Sequence, residues 1–180
     1  MIRRLKQWHV ATAAEAIAAA RFAVFGYDVS VQYGANQPEY DLMIAQGERM
    51  LKISVKGSQD GGWGLSQSQL SKIKNADYHG AADLWFARHK PLTALCFVQF
   101  KDVPEDQMPR TYLAWPREVA DRLKQASGGR GDTILFEDFV RGPKASGAGI
   151  RESLPIEWKL TRARVEQMLQ PAINSNDDTT

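Results

Sequence analysis

Residues 92–100 read LTALCFVQF, apolar at nearly every position until Gln99. The run is far shorter than the roughly 20 residues needed to span a bilayer. It also lacks the alternation of a strand with one wet face, so it predicts a strand buried on both sides. The chain must therefore place a sheet at its centre and cover it.

The remaining punctuation says with what. Helix-period residues fill positions 8–25 and stop at Gly26, a good residue for a left-handed helix end. Three strand-like runs follow, at 28–33, 40–45 and 49–56, separated by Gly, Asn or Pro. Residues 60–64 form a Gly-rich loop, 67–88 a mostly helical stretch, and 111–115 a further strand. Pro116 opens a helix to about residue 126, residues 133–136 a short strand, and 156–169 a last helical stretch before Pro171. Loops 127–132 and 141–149 are rich in Gly and predict flexible connections. The fold class expected is α/β with a central mixed sheet, as one domain over 1–170 and a frayed polar tail at 171–180.

Composition excludes several classes. Hydrophobic residues are 43% and charged residues 24%, the balance of a globular domain rather than a disordered chain. A net charge of +2 permits nucleic acid as a partner without arguing for it. No apolar run reaches membrane length, and Glu15 and Arg21 interrupt the Ala-rich stretch that follows the basic start. The single cysteine, Cys96, lies inside an apolar run and reads as a buried thiol, which removes disulfide scaffolds and Cys-based zinc sites. A cytoplasmic location with no membrane partner is the expectation.

The second and third strand runs form a hairpin if Gly47 and Glu48 make a two-residue type II′ turn. Gln46 then faces Arg49, and Asp41 faces Ser54. Lys56 shares the face of Ser54, while Leu42, Ile44, Leu51, Ile53 and Val55 take the other. Asp41, Ser54 and Lys56 converging on one face suggest a site; a solvated polar face is the bland reading. In the first helix Ala11, Glu15, Ala18, Phe22 and Phe25 form one stripe with Glu15 its single charge. A carboxylate there needs a partner or a metal, or else Thr12 and Glu15 form a capping box.

The order Glu15, then Gly26-Tyr27-Asp28-Val29-Ser30-Val31, Tyr33-Gly34, Asn36-Gln37, Tyr40-Asp41-Leu42 and Val55-Lys56 resembles the PD-(D/E)XK nuclease superfamily. The similarity is greatest to the branch holding archaeal Holliday-junction resolvases and an intron-encoded homing endonuclease, and it spans roughly residues 8–60. It implies a restriction-endonuclease-like core, α-β-β-β-α-β, with additional C-terminal strands and helices. It implies a metal-dependent endonuclease hydrolysing phosphodiester bonds in DNA, with Mg²⁺ or Mn²⁺ as cofactor and a homodimeric assembly. Glu15 would be the helix acid, Asp41 the metal-binding aspartate after Tyr40, and Lys56 the lysine; Glu15, Asp41 and the carbonyl of Val55 would hold the metal. Ser54 stands where the family has Asp or Glu, with Gln in some members. That departure favours an alternative, a catalytically impaired nuclease-fold module that binds nucleic acid or a protein.

Further candidates lie nearby. Lys56, Gln59 and Trp63 are expected nucleic-acid contacts, with Trp63 stacking on a base, against the plainer reading of an ordinary connection. Arg130, Arg141, Lys144 and Arg151 lie in or beside the Gly-rich loops as phosphate contacts or solvated charge. His79 and Asp83 stand one helical turn apart, and Trp8, Trp85, Trp115 and Trp158 read as packing residues.

Overall fold

A computed structural model describes residues 4–32, 39–90 and 92–170. Tyr33, Gly34, Asn36, Gln37 and Pro38, the basic start before Arg4 and the tail at 171–180 lie outside the described residues. The protein is α/β around a five-stranded mixed sheet. Helix α1 (Gln7–Val24) precedes β1 (Asp28–Val31), β2 (Leu42–Gln46) and β3 (Arg49–Ser58). A short β4 (Gly62–Gly64), α2 (Gln67–Leu70) and α3 (Tyr78–Phe86) lead to β5 (Thr93–Gln99) and β6 (Arg110–Ala114). Helix α4 (Pro116–Gln125), β7 (Ile134–Phe136), β8 (Asp138–Val140), β9 (Arg151–Ser153) and α5 (Arg162–Leu169) complete the described chain.

The strand order is β1-β2-β3-β5-β6, antiparallel throughout except where β3 and β5 run parallel. β5 is buried along its whole length, as its apolar run requires. Ala94, Cys96 and Val98 face one cluster with Ala14, Ala18 and Phe22 of α1 and Val165 of α5. Leu95 and Phe97 face the other, with Trp85 of α3 and Val119 and Leu123 of α4. Helices thus cover both faces. Burial pushes the Cys96 thiol up to about 12, which keeps it protonated and inert.

Helix α1 ends where Gly26 directs it. Gly26 takes φ +87°, its N–H reaches the Ala23 carbonyl at 2.9 Å, and Tyr27 N–H reaches Phe22 at 3.2 Å. This pair of bonds closes the helix and turns the chain into β1.

Several expectations are corrected. The stretch 67–88 is mostly helical as expected, but in separate pieces, because Asn75 and Ala76 take positive φ between α2 and α3. Residues 156–169 split into a 3₁₀ turn, Ile156–Trp158, and α5. Residues 60–64 are not merely a loop, because β4 pairs with β7 and sets Trp63 opposite Leu135. Trp8 is exposed, not packed. Loops 127–132 and 141–149 are held together: Ser146 Oγ donates to the Ser127 carbonyl at 3.2 Å, and Gly147 packs on the Ser127 backbone. Beneath them Arg141 forms a buried fork with Glu152, at 3.0 and 2.9 Å, and a 2.6 Å ion pair with Asp132.

Candidate active site

The β2–β3 hairpin has the expected register, with Gln46 opposite Arg49 and Leu42 opposite Ile53. Gly47 takes φ +62° at the first turn position, as a II′ turn asks. The ladder changes at Asp41. Its N–H donates to the Ile53 carbonyl at 2.8 Å, one residue out of step with the hairpin, and β2 begins only at Leu42. Asp41 is therefore not a ladder partner of Ser54, as strict alternation suggests.

This slip has a chemical result. Where the strands part, the Val55 N–H takes the Asp41 carboxylate instead of a main-chain acceptor, donating to Oδ2 at 2.6 Å. The bond satisfies a donor that the departing strand leaves open, and it fixes Asp41 at the rim of the sheet. No hydrogen bond engages its Oδ1 among the described residues.

Asp41, Val55 and Lys56 line one cleft of about 650 Å³ together with Glu15 of α1. The buried stripe of α1 is Val10, Ala14, Ala18 and Phe22, so Glu15 stands on its flank rather than in the expected stripe. The capping box is excluded. The helix begins at Gln7, which puts Thr12 well inside it. Burial raises the Glu15 carboxyl above its ordinary value, the Asp41 charge raises it further, and Lys56 acts the other way. Glu15 on α1 thus feels the charges of Asp41, just ahead of β2, and of Lys56 on β3 across the cleft.

Gly57 makes that approach possible. A Cβ there would stand 2.9 Å from Ala14 Cβ, from Val10 Cγ1 and from the Val10 carbonyl oxygen. Only a residue without a side chain lets α1 lie this close to β3. Sequence reasoning passed over it, although glycine inside a strand signals such close packing.

No family model, curated protein or solved structure matches this chain.

The other candidate residues are placed as follows. Ser54 is 5% exposed and does not line the cleft. Gln59 lines it, but both ends of its carboxamide are committed: Oε1 accepts from Leu5 N–H at 2.8 Å, and Nε2 donates to the Leu5 carbonyl at 2.7 Å. Trp63 is 4% exposed, donates to the Lys56 carbonyl at 2.9 Å and packs edge-on against Phe97. It is a core residue with no free face for a base, because the β4–β7 pairing turns it inward. Arg141 is buried in its ion pairs and closed to a phosphate, whereas Arg151 is exposed and paired bidentately with Asp138. Arg130 lies over the Tyr78 ring and Lys144 is exposed. His79 contacts the Gly129 carbonyl at 2.8 Å, and Asp83 pairs instead with Lys124.

Among the described residues no group of three or more His, Cys, Asp or Glu side chains is arranged to hold a metal. Three carboxylates line the cleft; Asp60 accepts from Ser58 Oγ at 2.9 Å, which leaves Glu15 and Asp41, with main-chain oxygen, as the donors for a cation. That donor set suits a hard divalent cation, since Mg²⁺ commonly takes one or two carboxylates and keeps several waters. Among the described residues no helix is long and apolar enough to cross a membrane.

Proposed function

We propose that this cleft is the active site of a metal-dependent endonuclease of the PD-(D/E)XK type, hydrolysing phosphodiester bonds in DNA. The observation that carries the reading is the meeting of Glu15, Asp41 and Lys56 in one cleft. The order α1-β1-β2-β3, then the short β4, helices, and β5 parallel to β3, supports it as compatible with the core the resemblance implies.

Glu15 and Asp41, with the Val55 carbonyl, would hold Mg²⁺ or Mn²⁺. Such an ion would lower the pKa of a bound water and polarise the phosphate. In the hydrolysis a water oxygen would add to phosphorus and one P–O bond to a sugar would break. The departing oxygen takes a proton from solvent. Lys56 places an ammonium where negative charge grows on the phosphoryl oxygens. Asp41 is held in place by its bond from Val55, so little reorganisation is needed. Glu15, facing Asp41 and Lys56 from α1, would complete the cation's shell or orient the attacking water.

A second reading, a non-catalytic module of the same fold, is favoured by Ser54. Its position supplies no carboxylate, and the hydroxyl lies outside the cleft. Cleavage of end-labelled branched and duplex DNA with Mg²⁺ or Mn²⁺ decides between them. The nuclease reading expects nicking by wild type and none by Lys56→Ala. A wild type that binds DNA without cutting it selects the module.

A further inference from the structure

The N-terminal segment enters α1 without a side-chain cap, yet it is fastened. The Gln59 carboxamide makes the two bonds to Leu5 that a neighbouring strand would make, accepting from its N–H and donating to its carbonyl. Gln59 directly follows β3, the strand that carries Lys56. The segment is thereby set in position relative to the reactive residues. On either side of Leu5, Arg4 and Gln7 line the cleft. Arg4 is exposed, and its guanidinium makes no ion pair or hydrogen bond among the described residues.

Charge gives this placement a consequence. The carboxylates of Glu15, Asp41 and Asp60 line the cleft, and Lys56 is the other cation there among the described residues. With a divalent cation on Glu15 and Asp41, Lys56 brings the cleft only to charge balance, so a polyanion gains net attraction there only from a further cation. A guanidinium presents a planar fork of donors that matches a phosphate in two bonds.

We propose that Arg4 forms a second phosphate subsite for the nucleic-acid strand at the mouth of the cleft, and that Gln59 is its positioning residue. The proposal rests on the nuclease-fold reading above and adds to it where a neighbouring phosphate is gripped. Gln59 acts through Leu5 and touches no phosphate itself.

The test is binding of a short fluorescent DNA duplex to the full chain in Ca²⁺, measured by anisotropy between about 50 and 200 mM salt. Variants are Arg4→Gln, Gln59→Leu and the pair. Arg4→Gln should weaken binding about tenfold and reduce the slope of log K against log salt by about 0.9, one phosphate contact. Gln59→Leu should give the same two changes, and no further loss when added to Arg4→Gln. Mn²⁺ affinity should be unchanged in all three. A wild type that binds no DNA overturns the nuclease-fold reading together with this subsite. A wild type that binds, with Arg4→Gln keeping its affinity and slope, overturns the subsite alone. Losses from Gln59→Leu that add in full to those of Arg4→Gln overturn the positioning role.

Discussion

The close seat of α1 on β3 can be tested at one residue. Gly57→Ala adds a Cβ that stands 2.9 Å from two side-chain carbons and from the Val10 carbonyl oxygen. Unstrained carbon contacts lie at about 3.5–4.0 Å, so a retreat of roughly 0.6 Å or more is required. The Val10 oxygen belongs to the helix backbone and cannot rotate away, so α1 must move as a body. Ala14, Ala18 and Phe22, all at 0% exposure, lock it in the core. Overpacking at such a place costs about 1–3 kcal/mol. Alanine also reduces unfolded-chain entropy relative to glycine, a gain of about 0.4–1 kcal/mol that does not reverse the sign. The net loss at the middle of these ranges is about 1.3 kcal/mol, so Tm should fall by about 3–5 °C for a domain of this size. Since Glu15 rides on the displaced helix beside Ala14, Mn²⁺ affinity should fall as well. Urea denaturation and calorimetry read the two effects. Stability within about 0.5 kcal/mol of wild type would show that α1 is not held as described.

Arg141→Ala should cost about 3–5 kcal/mol in denaturant unfolding, because it strands the Glu152 carboxylate in the core. Burial alone would raise the Glu152 carboxyl, but hydrogen bonds from Arg141 and the Ser127 N–H bring it below its ordinary value. That stabilisation is full above the unfolded carboxyl value of about 4.3 and fades as pH falls through the lower folded value. Glu152→Gln should therefore flatten the acid limb of the stability–pH curve, measured by unfolding from pH 7 downward. Ser54→Glu should lower stability, read as Tm, because it places a carboxylate at a buried position away from the cleft.

The parts legible in sequence were those governed by short-range rules. Apolar continuity identified β5, Gly26 fixed the end of α1, and the Gly47–Glu48 turn set the β2–β3 register. The site was only half legible. Glu15, Asp41 and Lys56 do line one cleft, but alternation put Asp41 across from Ser54. The strands separate there, and the Val55 N–H captures the carboxylate instead, an event with no periodic signature. Gln59 and Trp63 follow Lys56 closely, and proximity in sequence does not distinguish a ligand contact from an ordinary connection. Their partners, Leu5 and the Lys56 carbonyl with Phe97, are set by tertiary packing. The buried Arg141–Glu152–Asp132 group was hidden for the same reason: its members come from separate, Gly-rich or polar stretches that read as solvated loops.

The central claim is that Glu15 and Asp41 form one cation site beside Lys56. Isothermal titration of Mn²⁺ into wild type, Glu15→Gln and Asp41→Asn tests it most directly. The account predicts saturable binding to wild type, at least about tenfold weaker binding in each single variant, and none detectable when both are changed. Lys56→Ala should bind Mn²⁺ as well as wild type or slightly better, since a nearby positive charge is gone. No binding by wild type, or equal binding by wild type and both carboxylate variants, would contradict it.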